Sequence, residues 1–291
     1  MVGTELVAAA SESGWDVVGL SHAQLDVGDR SAVQAAVMAA RPDVVVNAAA
    51  YTQVDLAESN LEAAGRANAE GPGHLADACA AGGALLVHLS TDYVFDGRSR
   101  TPYRPDDPPG PLGAYGRTKW AGEQAVRERL TRHLIVRTSW VYAPHGRNFL
   151  TTIARLARER EVIAVVADQQ GRPTLAADLA RALVTAAAAA RAAPDLGGTY
   201  HFANAGETTW HGFASAIVAG LDGRAGVVCR TVAPISSAEY PTAAPRPAYS
   251  RKWDNRYRTQ RSGKQNLPKN SYVTGRRRRR LRRWKGSRST A

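Results

Sequence analysis

Sulfur chemistry is nearly absent from this chain. Two cysteines, Cys79 and Cys229, are spread over 291 residues. They stand alone, so neither a disulfide framework nor a metal-ligand spacing can be written for them. Cys79 falls in an Ala-rich stretch and reads as core filler. No run approaches the ~20 apolar residues that a bilayer span needs, and no basic-then-apolar leader opens the sequence. The expectation is a reduced, cytoplasmic protein with no membrane partner. No internal repeat is visible. The hydrophobic fraction, 44%, is ordinary for a globular chain of this length with ample core.

Positive charge is absent where the net value of +12 suggests it. Residues 251–291 hold 16 Lys and Arg against one acid, Asp254, whereas residues 1–250 hold 22 basic and 25 acidic residues. The body is mildly acidic, and the excess lies in one basic tail with five consecutive arginines at 276–280. Such a segment cannot bury enough apolar surface to fold alone, and a disordered tail is expected.

Along the body, short apolar runs alternate with helical stretches. Trp15–Leu20, 43–47, 84–90 and 133–139 read as buried parallel strands. Residues 29–40, 61–82 and 114–130 read as helices, with Asp29 or Ser31 as a cap for the first. This pattern predicts an α/β, Rossmann-like doubly wound parallel sheet with right-handed crossovers. Residues 1–141 form its dinucleotide-binding domain, with 175–203 packed on it. Residues 142–174 and 204–250 form a smaller α/β substrate-binding lobe, and 251–291 the tail.

The glycine-rich phosphate turn expected after a first strand is mostly missing. Gly3 alone stands for its end, which places the first strand and earlier glycines upstream of Met1. Asp26-Val27, just past the second strand, suits an adenine edge, although a helix-capping loop explains it equally well. The end of that strand, Gly19-Leu20-Ser21-His22, offers no acid for a ribose 2′-hydroxyl, which favours NADPH over NADH. The small residues of Asn47-Ala48-Ala49-Ala50-Tyr51-Thr52 permit close backbone approach to a ligand or to a neighbouring helix.

Tyr115-Gly116-Arg117-Thr118-Lys119 places a phenol and an amine one turn apart on a single helix face. A held ammonium favours phenolate and brings proton exchange nearer neutrality, as a carbonyl reductase requires. Ser90-Thr91-Asp92-Tyr93-Val94-Phe95-Asp96-Gly97 sets a hydroxyl at a strand end, where it can donate to a substrate carbonyl. His145 and His211 read as structural rather than as proton donors.

With these motifs, and with Gly206-Glu207-Thr208-Thr209-Trp210-His211-Gly212-Phe213-Ala214, the chain resembles the extended short-chain dehydrogenase/reductase family. The likeness spans about residues 1–250 and is strongest to its branch of dTDP-4-dehydrorhamnose reductases. Arg246-Pro247-Ala248-Tyr249-Ser250 resembles the branch's C-terminal element. The resemblance implies reduction of the C4 ketone of a dTDP-4-keto-6-deoxysugar by NADPH or NADH, with Mg2+ as an optional accessory ion and a homodimer as the assembly. Tyr115 would protonate the C4 oxygen, Lys119 would bind the nicotinamide ribose, and Thr91 would complete the triad. Asp92, Trp140, Asn148 and Arg172 would face the sugar nucleotide. Gly3, Asp26, Val27, Ala50, Tyr51 and Thr52 would face the cofactor.

Four rivals remain at this point. A related dehydratase or epimerase is disfavoured because an aromatic, Tyr93, follows the single acid Asp92. A reductase of a sibling deoxysugar stays open, as does a non-catalytic regulatory subunit on the same fold. Trp253, Tyr257 and Trp284 could stack on bases beside the basic residues. The tail departs from the family abruptly after Ser250, however. It is expected to be an altered reading frame or an artificial extension, and nucleic acid is not the expected partner.

Overall fold

Runs such as Val44-Val45-Val46 and Leu85-Leu86-Val87 have no polar alternation, so they are stable only where both faces are covered. The computed structural model describes residues 1–99 and 101–248, and the calls on Tyr249, Ser250 and the 251–291 tail lie outside them. The chain opens with helix α1 (Val2–Glu12) and α2 (Arg30–Ala40), followed by strand β1 (Val44–Asn47). Helices α3 (Leu56–Ser59) and α4 (Leu61–Gly65) run through a π turn (Arg66–Glu70) into α5 (Gly71–Gly82). Strand β2 (Leu85–Thr91) ends in a 3-10 turn (Asp92–Val94), and α6 (Ala114–Arg129) leads to β3 (His133–Thr138). There follow β4 (Val141–Tyr142), α7 (Phe149–Glu159), β5 (Val162–Val166), β6 (Gln170–Gly171) and β7 (Thr174–Leu175). The described chain closes through α8 (Ala176–Ala192), β8 (Gly198–His201), β9 (Thr208–Thr209), α9 (Trp210–Ala219) and β10 (Thr231–Ile235).

The main sheet has the order β1-β2-β3-β8, parallel throughout. Alternate residues of its strands point to opposite faces. Leu85, Val87, Leu134 and Val136 meet Leu6 and Ala10 of α1 and Leu179 and Leu183 of α8. Leu86 and Ile135 meet Val33 and Val37 of α2, Leu75 and Cys79 of α5, and Val126 of α6. Each such side chain contributes about 1.5–3 kcal/mol by leaving water, and helices on both faces explain why the strands read as continuous apolar runs. A separate small core joins Ile153 and Ala157 of α7, Ile163 and Val165 of β5, and Ala214 of α9. There β5 pairs in parallel with β10. Among the described residues no helix is long and apolar enough to cross a membrane.

One expected strand is corrected. Trp15–Leu20 is irregular, with Val18 72% and Leu20 50% exposed, although Trp15 and Val17 pack on the core beneath α1. A strand exists only where a neighbour pairs its backbone. Among the described residues the outer edge of β1 carries no such neighbour, so this apolar run stays outside the sheet. Asp29 does cap α2, accepting from Ala32 N at 3.0 Å.

Two histidines are buried in the sheet. Burial and the nearby Arg137 push His201 from 6.5 down to about 3. Burial, with Lys119 next in importance, pushes His88 well below its ordinary value. Both stay neutral when folded and take up protons when unfolded, so stability falls as pH drops below 6.5 toward 3. The melting temperature is expected to decline steadily from about pH 7 to pH 5. A flat profile across that window would contradict the buried neutral imidazoles.

Candidate active site

Helix α6 has no side-chain cap of its own at Gly113. Its first amide, Ala114 N, donates instead to Glu58 Oε1 at 2.6 Å, and the carboxylate also lies 3.6 Å from Arg117. A negative charge there complements the helix dipole and anchors the N-terminus. Two glycines then bring α6 against its neighbours. A Cβ at Gly116 would overlap the Tyr93 carbonyl oxygen, and one at Gly122 would overlap the Asn68 carbonyl oxygen. The close approach at Gly116 places the first turn of α6 beside the carboxyl end of β2.

Tyr115 is partly buried there, with its phenol in a hydrogen bond with the Thr91 hydroxyl. The ring of Tyr93 meets it edge-on at 5.4 Å. Burial pushes the Tyr115 phenol up to about 12; the Thr91 bond pulls it down, and Asp92 raises it. Thr91 Oγ1 donates to Asp92 Oδ1 at 3.0 Å and accepts from Tyr93 N at 3.2 Å. Lys119 is 2% exposed, and Nζ donates to Leu89 O at 2.6 Å. Burial lowers its amine to about 8, and Glu123 acts in the opposite direction. The structure therefore differs from the expected ammonium-stabilised phenolate. The ammonium turns to a carbonyl within the buried layer, and the phenol keeps its proton across the physiological range.

Of the residues expected to face the cofactor, Asp26 and Tyr51 line one cavity. Asn68, on the π turn, accepts from Tyr51 N at 2.8 Å. Its Nδ2 lies 3.1 Å from Tyr51 O and 3.2 Å from Thr118 Oγ1. It thereby ties the Ala50–Thr52 loop to α6, and π turns of this kind recur at functional sites. Asp26 accepts from Gly28 N at 2.9 Å and pairs with Arg66 at 2.6 Å. Val27 accepts at its carbonyl from His74, 3.1 Å away. A cavity of about 390 Å³, lined in part by His22, Asp26, Tyr51 and Arg66, opens here. Asn60, Glu62 and two alanines complete its lining, and Arg66 within it is paired with Asp26. Gly3 is exposed in the first turn of α1, with open space around it.

The substrate-side residues are less uniform. Trp140 sits at φ +47° and stacks on Trp210 with ring centroids 3.5 Å apart. Gly171 packs so closely under Trp140 that a side chain there would overlap the indole. Asn148 is the N-cap of α7: its Oδ1 accepts from Thr151 N, and its Nδ2 donates to Ala143 O at 2.9 Å and His145 O at 3.0 Å. Arg172 is half-buried, and its Nε has no partner among the described residues. His211 lies 3.0 Å from Val232 O and His145 lies 3.5 Å from Glu5, both away from Tyr115. Among the described residues no group of three or more His, Cys, Asp or Glu side chains is placed to hold a metal ion.

A protein-family model described as the RmlD substrate binding domain matches residues 1–269. The chain belongs to this family. Within the RmlD family it is 46% identical over 256 residues to the dTDP-4-dehydrorhamnose reductase of Burkholderia thailandensis, covering 86% of each protein. It is 44% identical to a probable dTDP-4,6-dihydroxy-2-methyloxan-3-one 4-ketoreductase of Streptomyces antibioticus, covering 89% of this chain and 85% of that protein. A crystal structure of dTDP-4-dehydrorhamnose reductase from Bacillus anthracis in complex with NADP superposes with TM-score 0.79 at 39% identity, covering 86% of this chain and 85% of that one. The RmlD likeness agrees with the Rossmann-like architecture and a nicotinamide cofactor.

Asn68, Glu58 and Glu123 were not singled out from the sequence. Each has a partner at least 14 residues away, and only Glu123, four residues before Arg127, offered a local spacing. The tight contact at Gly116 gives a test. Gly116→Ala forces the Tyr93 carbonyl away, is expected to cost about 1–3 kcal/mol of stability, and parts Tyr115 from Thr91. Denaturant unfolding and turnover measured together check it, and an unaltered midpoint would contradict the close contact.

Proposed function

We propose that the chain reduces the C4 ketone of dTDP-4-dehydrorhamnose to give dTDP-rhamnose, with NADPH as reductant. Membership of the RmlD family and the named reductases among its relatives support the substrate class. The observation that carries the chemistry is the protonated Tyr115 phenol, hydrogen-bonded to Thr91 at the end of β2, with Lys119 one helical turn away.

When bound, NADPH supplies hydride to C4. Thr91 and Tyr115 donate hydrogen bonds to the ketone oxygen and stabilise it as charge develops. Thr91 turns its proton from Asp92 to the substrate, and Asp92 takes a sugar hydroxyl. Tyr115 delivers its proton to the oxygen. The Lys119 ammonium offsets the phenolate left behind and reaches the nicotinamide ribose by leaving Leu89 O. Ala50, Tyr51 and Thr52 line the cofactor through backbone held by Asn68, with Asp26 and Val27 at the adenine edge and Gly3 at the pyrophosphate turn. Trp140 offers an aromatic face to the nucleotide, and Arg172 pairs its diphosphate. Asn148 contributes by fixing the 143–148 loop, because its amide is committed to the α7 cap. In this reading residues 1–141 with 175–203 hold the cofactor, and 142–174 with 204–250 cover the sugar.

The similar identity to the Streptomyces antibioticus 4-ketoreductase favours one second reading, reduction of a sibling dTDP-4-keto sugar. Incubation with each dTDP-4-keto sugar and NADPH, followed by nicotinamide absorbance, separates the two. No turnover with either would leave a non-catalytic role. Tyr115→Phe is expected to keep NADPH binding and lose about 10²–10⁴-fold in kcat; near-normal turnover would remove Tyr115 from the mechanism. In the unaltered protein kcat should fall as pH rises through about 8, where Lys119 loses its proton.

A further inference from the structure

Between the sheet and α6 lies a dry layer of charge that the reduction does not itself use. Glu123 is 0% and Arg137 1% exposed. They form a two-pronged pair, Arg137 Nε to Glu123 Oε1 and Nη2 to Oε2, both at 2.8 Å. Arg127 adds a third bond to Oε2 at 2.6 Å and reaches Thr199 Oγ1 at 3.0 Å. Glu123 follows Lys119 by four residues, as Lys119 follows Tyr115, so the three share one stripe of the helix.

The other titratable or charged groups facing this layer are His88 on β2, His133 and Arg137 on β3, His201 on β8, and Arg127 on α6 itself. Burial keeps the histidines neutral. Two cations, Arg127 and Arg137, hold that carboxylate, and a third, Lys119, lies one helical turn from it with its own bond to Leu89 O. A guanidinium does not give up its proton in a protein, whereas a buried amine does so readily. Lys119 is therefore the member whose charge responds to Glu123, against the stronger pull of burial.

We propose that Glu123 is a positioning residue for the reaction at Tyr115: gripped by Arg137 and Arg127, its buried carboxylate keeps the Lys119 side chain charged one turn from the phenol. The purpose of that ammonium rests on the proposed function; the coupling between Glu123 and Lys119 does not. A buried ion pair alone is weak evidence for a stabilising role. The shared stripe and the excess of cations give this one a task.

The chain has five lysines, and Lys119 is the only one before residue 252. Selective ¹³C labelling at lysine Cε in the whole chain resolves its titration, with assignment by its loss in Lys119→Arg. Glu123→Gln is expected to lower the Lys119 midpoint by about one pH unit or more, and the alkaline limb of kcat should move down with it. Glu123→Asp keeps the charge and should restore most of the shift. Arg127→Met leaves the buried pair intact, relieves Glu123 of one cation, and should raise the midpoint. A carboxylate with a purely structural role would lower the melting temperature in these variants and leave every Lys119 midpoint where it began; that result overturns the proposal. If Glu123→Gln does not fold, Arg127→Met decides alone, and an unchanged or lowered midpoint there is equally fatal. Shifted midpoints in a protein that reduces neither dTDP-4-keto sugar would uphold the coupling and sink the assigned reaction instead.

Discussion

The pair between Glu123 and Arg137 fastens helix to sheet at the place where the site is built. Strand β3 sits between β2 and β8, so Arg137 rises from the middle of the sheet. Glu123 hangs from the helix that carries Tyr115 and Lys119. Removing one partner of such a buried pair leaves an uncompensated charge and costs about 3–5 kcal/mol. That penalty fixes the rotation of α6 about its own axis. Gly116 and Gly122 fix its height, because each brings backbone to backbone with no room for a side chain. With rotation and height set, Tyr115 meets Thr91, and Lys119 lies over Leu89.

The same layer governs protonation. Burial acts in opposite directions on acids and bases: it holds the phenol protonated and strips charge from amines and imidazoles. Tyr115 and His201 are displaced far from neutrality in this way, whereas Lys119 is left near pH 8. A proton donor that retains its proton until the substrate oxygen gains charge serves a reductase better than one already ionised. The sequence expectation of a phenolate beside an ammonium neglected desolvation, which is the largest effect on both groups.

What was legible in the chain was local. Strands buried on both faces left continuous apolar runs, and Tyr115 and Lys119 declared themselves by helical spacing. Trp15–Leu20 misled because β structure depends on a distant partner and not on the run itself. Asp26 was open to two readings, and the structure shows why: its oxygens are taken by Gly28 N and by Arg66, forty residues on. Asn148 carried a signal that was passed over, a short polar residue three before Thr151, which is how a helix cap is written. Glu58 and Asn68 had no such signal, since each acts across the fold.

The choice of lysine at 119 follows from the chemistry of the layer. Every other cation in residues 1–250 is an arginine or a histidine. A guanidinium at this position would remain charged at any pH and would need more acceptors than one carbonyl can offer, for it presents five donors in a rigid fork. An ammonium on a flexible stem is satisfied by Leu89 O alone. Arginine instead occupies position 137, where a planar carboxylate faces it and both prongs are used. The two cations differ by geometry: the planar one locates the helix through both prongs, and the compact one fits a single carbonyl.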